Sequence, residues 1–246
     1  MKENYYGNLC TEMYEILHKD APQDELAFYF SYAKKEYSIL EPLCGSGRFF
    51  IPFLERGYNI SGVDLSAEML AKLKAKNPGA KVCCGDILEY NTTQRYDYIF
   101  ISSGSVSLFT DMKLCRQILC KIRNLLKKGG KFVFAVDTIA DKCANDGDYK
   151  AVKSVKTNEG FDLILKCKNY YDVRSSTQYS PGIYELYDGD TLLQREEMNF
   201  QTHLYRLGEL EPYLYTIGFT KVFVYSNYNK EPAVDNNSEM FLYECS

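Results

Sequence analysis

Three acids and two glycines in this chain stand at spacings that can hold a small polar ligand. Glu41 follows the apolar pair Ile39–Leu40, and Gly45 and Gly47 lie in the turn behind it, ILEPLCGSGRFF. Asp64 closes a second apolar run, YNISGVDL, and Asp86 a third, KVCCGDI. A glycine turn between a strand and a helix lets backbone N–H groups come close to a ligand. Carboxylates at the ends of successive parallel strands line one edge of one crevice. There they accept hydrogen bonds from hydroxyl and amino groups. The set suits a ligand with an amino group near the turn, a ribose diol at Asp64 and an adenine at Asp86, with the backbone near Ile87 pairing with the ring.

Strands and helices that alternate must position these residues. SILEPL, YNISGVDL, KVCCGDI, YDYIFIS and KFVFAVDT read as five short, nearly continuous apolar strands, as expected when both faces of a parallel sheet are covered. Between them, SAEMLAKLKAKN forms a helix with Ser66 as N-cap. A long helix from about Asp111 to Lys128 places Leu114, Ile118, Ile122, Leu125 and Leu126 on one face, with Gly129–Gly130 expected to end it. Two helices precede the first strand, the second expected to run to about Lys35. After Ala140 the pattern turns to β-type alternation over 149–206, with Asp188–Gly189 as a hairpin signal. A short helix and two closing strands finish the chain.

The acids also exclude a ligand. A dinucleotide sets its pyrophosphate against the glycine turn, where Glu41 repels it, and Phe50 stands where a third glycine would pack helix on strand. S-adenosyl-L-methionine fits instead, with S-adenosyl-L-homocysteine as its product. At this point the chain resembles the class I S-adenosylmethionine-dependent methyltransferases, small-molecule type with a β lid (the glycine N-methyltransferase-like group). The resemblance rests on Glu41-Pro-Leu-Cys-Gly45-Ser-Gly47-Arg, Gly62-Val-Asp64-Leu-Ser-Ala-Glu-Met69-Leu, Gly85-Asp86-Ile87 and Leu126-Lys-Lys-Gly129-Gly130, over about Ser38 to Thr138.

It implies an α/β fold: a Rossmann-like seven-stranded sheet, parallel with an antiparallel C-terminal strand, plus a small inserted antiparallel β lid. The expected division is 1–145 for the N-terminal helices and cofactor-binding core, 146–206 for the lid, and 207–246 for the helix and strand pair that complete the sheet. Cofactor contacts are expected from Glu41, Leu43, Gly45, Gly47, Arg48, Asp64, Leu65, Met69, Asp86, Ile87 and Ser102. Leu43 departs from the family, which commonly has glycine there, so it must keep φ negative or take a rarer backbone state.

The strand-four loop carries Ser102-Ser103-Gly104-Ser105, not the Asp/Asn-Pro-Pro-aromatic motif of nucleobase amino methyltransferases. Ser103 and Ser105 are therefore expected at the methyl-transfer site. Tyr170 and Tyr205 of the lid, with Tyr5 and Tyr14 of the N-terminal region, are expected to wall in the acceptor. No base is evident, and His203 and Asp137 are the candidates. Methyl transfer from a sulfonium needs a general base only when the nucleophile arrives protonated.

Composition narrows the class. With 246 residues the chain can hold one sizeable α/β domain and an insert. A net charge of −4 argues against a general nucleic-acid binder. The N-terminus lacks an apolar signal core, and no apolar run is long enough to span a bilayer. Nine cysteines, never spaced as CxxC, read as reduced thiols of a cytoplasmic protein, with no metal site. The expected activity is methyl transfer to an N, O or C atom of a small molecule, by a monomer or homodimer with no DNA or membrane partner. The rivals are a non-catalytic cofactor-binding regulator, a nucleotide oxidoreductase and a protein or RNA methyltransferase.

Overall fold

The computed structural model of the chain describes residues 3–246. Two helices, α1 (Asn8–Leu17) and α2 (Gln23–Phe30), precede the alternating core. The core runs β1 (Ser38–Pro42), α3 (Phe50–Glu55), β2 (Asn59–Asp64), α4 (Ala67–Lys76), β3 (Val82–Cys84), β4 (Tyr96–Ile101), α5 (Met112–Leu125) and β5 (Leu126–Asp137). The insert holds β6 (Lys150–Lys156), β7 (Asp162–Cys167), β8 (Tyr170–Asp172), β9 (Thr177–Tyr179), β10 (Gly182–Asp188), β11 (Thr191–Met198) and β12 (Gln201–His203). Helix α6 (Glu211–Thr216) leads to β13 (Val222–Tyr225) and β14 (Met240–Cys245).

One seven-stranded sheet has the order β13-β14-β5-β4-β1-β2-β3. Strands β1 to β5 are parallel, and β14 runs antiparallel to both its neighbours. The expected Rossmann-like sheet with an antiparallel C-terminal strand is thus the observed one. Period-two alternation puts Phe132, Phe134 and Val136 of β5 against α5 and α6, and Val133 and Ala135 against the α2–α4 side. Both faces are covered, which is why these strands read as apolar throughout.

Three local expectations are corrected. Helix α2 ends at Phe30 and not near Lys35. Helix α5 ends at Leu125 and passes straight into β5, so Gly129 and Gly130 lie inside the strand and do not end the helix. The register of β4 on β5 shifts there, and a Cβ on Gly130 would lie 3.0 Å from the Tyr96 carbonyl. The glycine is needed for close approach between strands. The insert forms two sheets, β11-β10-β7-β6 and β12-β9-β8, rather than one. The larger packs on α1 through Leu9, Cys10 and Met13 against Leu163, Tyr184 and Met198.

Candidate functional site

After β1 the chain reverses through three left-handed residues: Leu43 at φ 56°, Gly45 at 51° and Gly47 at 89°. Leu43 therefore takes the rarer backbone state, which costs a branched-chain residue about 1–2 kcal/mol. Asp64, at the end of β2, anchors the turn. Its Oδ2 accepts the Gly45 N–H at 2.7 Å and its Oδ1 the Ser66 N–H at 2.8 Å. One carboxylate thus ties the β1 turn to the start of α4, where Ser66 Oγ caps the Met69 N–H at 3.0 Å. With the Leu65 N–H also bonded to it, the Asp64 carboxylate still keeps acceptor capacity. Gly62 supports the same packing, since a Cβ there would meet Cys44 Sγ at 2.6 Å.

Glu41 is 2% exposed, and among the described residues its Oε2 has no hydrogen-bond partner; neither has the buried Ser46 Oγ. Burial pushes the Glu41 carboxyl well above the usual range, and the neighbouring Asp64 charge adds to the shift. Burial likewise raises Asp64. A buried acceptor without a donor is costly unless a ligand supplies one.

These residues open onto a cavity of about 280 Å³. Leu65, Met69, Asp86 and Ile87 form one wall; Ser102, Ser103 and Ser105 form another, continued by Leu108 to Asp111. The roof is the chain segment before α1. Asn4 holds it, donating to the Leu108 and Gln201 carbonyls and accepting the Gln201 N–H, each at 2.8 Å. The Tyr5 hydroxyl donates to Glu68 at 2.6 Å, and Ser66 Oγ donates to the Tyr6 carbonyl at 2.7 Å. Tyr5, Tyr6 and Tyr14 all face the cavity.

A methyltransferase domain family matches residues 39–130, the stretch from β1 to the first residues of β5. Residues 39–130 thus match a methyltransferase domain, and the seven-stranded sheet has the fold of the class I S-adenosylmethionine-dependent methyltransferases. A Geobacillus sp. (strain WCH70) protein described as a methyltransferase is 22% identical over 240 residues, 93% of this chain and 95% of the relative. Among solved structures, an S-adenosylmethionine-dependent methyltransferase from Clostridium acetobutylicum superposes with a TM-score of 0.75 at 18% identity, over 95% of this chain and 96% of that one. A sugar N-methyltransferase from Streptoalloteichus sp. gives 0.72 at 15% identity, over 99% and 96%.

The charge of the methyltransferase cleft fits its cofactor. Among the described residues, five acids line it, Glu3, Glu41, Asp64, Asp86 and Asp111, against one cation, Arg48. S-adenosylmethionine brings an ammonium, a sulfonium and a single carboxylate. Glu41 Oε2 is a buried acceptor suited to a cationic donor.

Of the expected cofactor residues, ten line the cavity and Gly47 does not. A Cβ on Gly47 would lie 2.9 Å from both Ile51 and Leu73, so this glycine serves the packing of α3 and α4. Tyr5, Tyr14, Ser103 and Ser105 face the cavity as expected; Tyr170 and Tyr205 do not. Tyr170 is 42% exposed and stacks on Tyr179 at 4.7 Å. Tyr205 is wholly buried, its hydroxyl 3.5 Å from Cys115 Sγ. His203 is buried too, bonded to Glu209 Oε1 at 2.6 Å and away from the cleft. Asp137 lies just behind the lining, against Gly104.

No residue of β6–β12 lines the cavity. The insert backs the roof instead of forming it: Glu196 of β11 accepts the N–H groups of Leu9 and Cys10 at 3.0 and 3.1 Å, capping α1. A buried acid of α2 was also missed. Glu25 accepts the Ser103 N–H at 2.8 Å and the Ser103 hydroxyl at 3.2 Å, holding Ser103 at φ 52°. In sequence, Asp24-Glu25 reads only as favourable charge in a first helical turn.

Proposed function

We propose that the protein transfers a methyl group from S-adenosylmethionine to an amine nitrogen of a small molecule, in the cytoplasm. The carrying observation is the buried, unpartnered Glu41 Oε2 beside the glycine turn. In this reading Glu41 receives the amino group of the cofactor's methionine moiety and Arg48 its carboxylate. The remaining acceptor capacity of Asp64 takes the ribose hydroxyls, and Asp86 with the backbone at Ile87 takes the adenine. Leu43, Gly45, Leu65, Met69 and Ser102 complete the walls. The bound cofactor supplies an electrophilic methyl on a sulfonium; the chain's part is to bind, orient and exclude water.

The roof supports a small acceptor. Asn4 to Tyr6 close the cleft over Ser103 and Ser105, leaving a pocket and not an open groove. Five lining acids favour a cationic acceptor, and the similar fold of a sugar N-methyltransferase supports an amino sugar as the first class to try. Nine cysteines, all free, support a reducing compartment. The division at 1–145, 146–206 and 207–246 belongs to the same reading.

Calorimetric titration with S-adenosylhomocysteine, beside Asp64→Ala and beside NAD, tests the cofactor. Binding by the wild type, weakened in the variant and absent for NAD, is expected. Amino sugars and their hydroxyl counterparts, incubated with S-adenosylmethionine and followed by mass spectrometry, test the acceptor. Methylation of hydroxyl compounds but not amines sinks the amine reading.

A further inference from the structure

Strand β5 ends at Asp137, beside the serine turn of the cleft. Gly104, between the two lining serines, has φ 68°, and a Cβ on it would lie 2.2 Å from Asp137 Oδ1. Only glycine leaves room for this carboxylate. The Asp137 backbone is fixed: its N–H donates to Ser107 Oγ at 2.8 Å and its C=O accepts the Tyr205 N–H at 2.9 Å. Ser105 bridges to Val136 next to it. Its side chain is held by nothing comparable. Among the described residues, no donor is bonded to either carboxylate oxygen, and the residue is half-buried, directly behind Gly104 and the two lining serines.

The other acid at this end differs. Glu25 spends its oxygens on the Ser103 N–H and hydroxyl, so its role is to shape the turn. Asp137 is the acid left with capacity.

The geometry points to Asp137 as the group that takes the proton from an ammonium acceptor seated beside Ser103 and Ser105 under Tyr6. This inference rests on the amine reading above. An aliphatic amine enters protonated at neutral pH. Its N–H bond breaks, the proton passes to the Asp137 carboxylate directly or across one water, and the electron pair stays on nitrogen. Nitrogen then bonds the methyl carbon as the carbon–sulfur bond breaks and its pair stays on sulfur. The positive charge leaves sulfur and appears on the product nitrogen, so charge balances.

The surroundings suit a base that works near neutrality. Burial, with repulsion from Asp141, raises the Asp137 carboxyl to about 7. Tyr6 faces it from the roof, and Glu239, ahead of β14, lies next beyond Asp141. His203 and Tyr205 turn their side chains to Glu209 and Cys115 instead.

The test is carbon NMR of the protein labelled at aspartate carboxyls, saturated with S-adenosylhomocysteine, with Asp137 assigned by its absence in Asp137→Asn. The expected result is an Asp137 resonance that titrates near neutrality. Beside it, 3-amino-3-deoxyglucose turnover is followed from pH 5.5 to 9 (~, spanning the expected proton transfer). Wild-type kcat/KM should rise through neutrality. Asp137→Asn should lose about 10²–10⁴-fold at neutral pH, lack that limb and keep its homocysteine-cofactor affinity. A carboxyl that titrates in the ordinary range, or a variant with the wild-type profile, overturns the assignment. Failure of the wild type to methylate any amine would instead strike the amine reading, while the NMR titration still decides the charge state of Asp137 without an acceptor.

Discussion

Glu196 stands across the N-terminus of α1 so that its two oxygens accept the N–H groups of Leu9 and Cys10, at 3.0 and 3.1 Å. Capping usually comes from the residue preceding a helix, yet Gly7 there makes no side-chain cap. A Cβ on Gly7 would lie 2.7 Å from the Glu196 carboxyl, so glycine and acid fit as a pair. The inserted sheet is thereby fastened to the helix that follows the roof. Two further contacts join the same parts: Asn4 to Gln201 and the Cys10–Met13 face of α1 to Leu163 and Met198.

Glu196→Ala should therefore free two helix N–H groups and loosen the roof. A lost cap costs about 0.5–2 kcal/mol. The amides of Leu9 and Cys10 should exchange with deuterium on the order of tenfold faster while the β4 and β5 amides keep their protection. Unchanged exchange at Leu9 would mean that α1 does not depend on this cap.

The buried acids at the cleft and just behind it predict a pH dependence in the ligand-free protein. Glu41, Asp64 and Asp137 are all raised by burial, Asp137 from 3.8 to about 7. A carboxyl raised on folding binds its proton more tightly in the folded state. Its contribution is fully present below the unfolded value and is lost as pH rises through the folded one. Thermal melts should thus show stability falling between 3.8 and about 7, the window set by Asp137. Glu41→Gln removes one such charge and should flatten part of that fall, while weakening S-adenosylhomocysteine binding roughly ten- to hundredfold, as expected for loss of a buried charged hydrogen bond. A variant that binds as tightly as wild type would show that Glu41 does not meet the ligand.

Leu43 and Gly47 should respond in opposite ways. Leu43→Gly relieves a left-handed leucine, worth about 1–2 kcal/mol, and gives up a partly buried side chain of similar worth. Its melting temperature should stay within about 2–4 °C, the shift of roughly 1 kcal/mol in a domain of this size, and cofactor affinity should persist. Gly47→Ala puts a methyl 2.9 Å from Ile51 and Leu73 at φ 89°. Overpacking with backbone strain should cost about 1–3 kcal/mol. If Leu43→Gly abolishes binding in a folded protein, its side chain contributes a contact that the turn geometry does not explain.

The legible parts of the sequence were those where local pattern and ligand chemistry coincide. Asp64 is set by the end of a strand and the cap of the next helix, both of which are local, so its place at the cleft follows from the chain around it. Glu25 reaches Ser103 from 78 residues away, and nothing in its own helix marks that partner. Alternation gave the lid its strands but not the direction each face takes. Tyr205 belongs to the α5-side core and Tyr170 to an outer stack on Tyr179. Gly129–Gly130 follow an apolar helical face, as a helix end would, yet β5 had already begun at Leu126. The strand pairing outweighed the local stop signal.

The roof should be cut most cleanly at Asn4. Its amide makes three hydrogen bonds at 2.8 Å, two as donor to the Leu108 and Gln201 carbonyls and one as acceptor from the Gln201 N–H. Asn4 sits at φ 52°, a left-handed state that asparagine tolerates better than alanine. Asn4→Ala thus loses the clamp and strains the backbone, while the core sheet, which Asn4 does not touch, keeps its packing. At about 1 kcal/mol for each hydrogen bond, the closed state loses roughly 2–3 kcal/mol. S-adenosylhomocysteine should leave on the order of 10- to 100-fold faster in stopped-flow displacement, with global melting nearly unchanged. An unchanged dissociation rate would mean that the Asn4–Tyr6 segment does not gate the cleft and that the ligand leaves by another side.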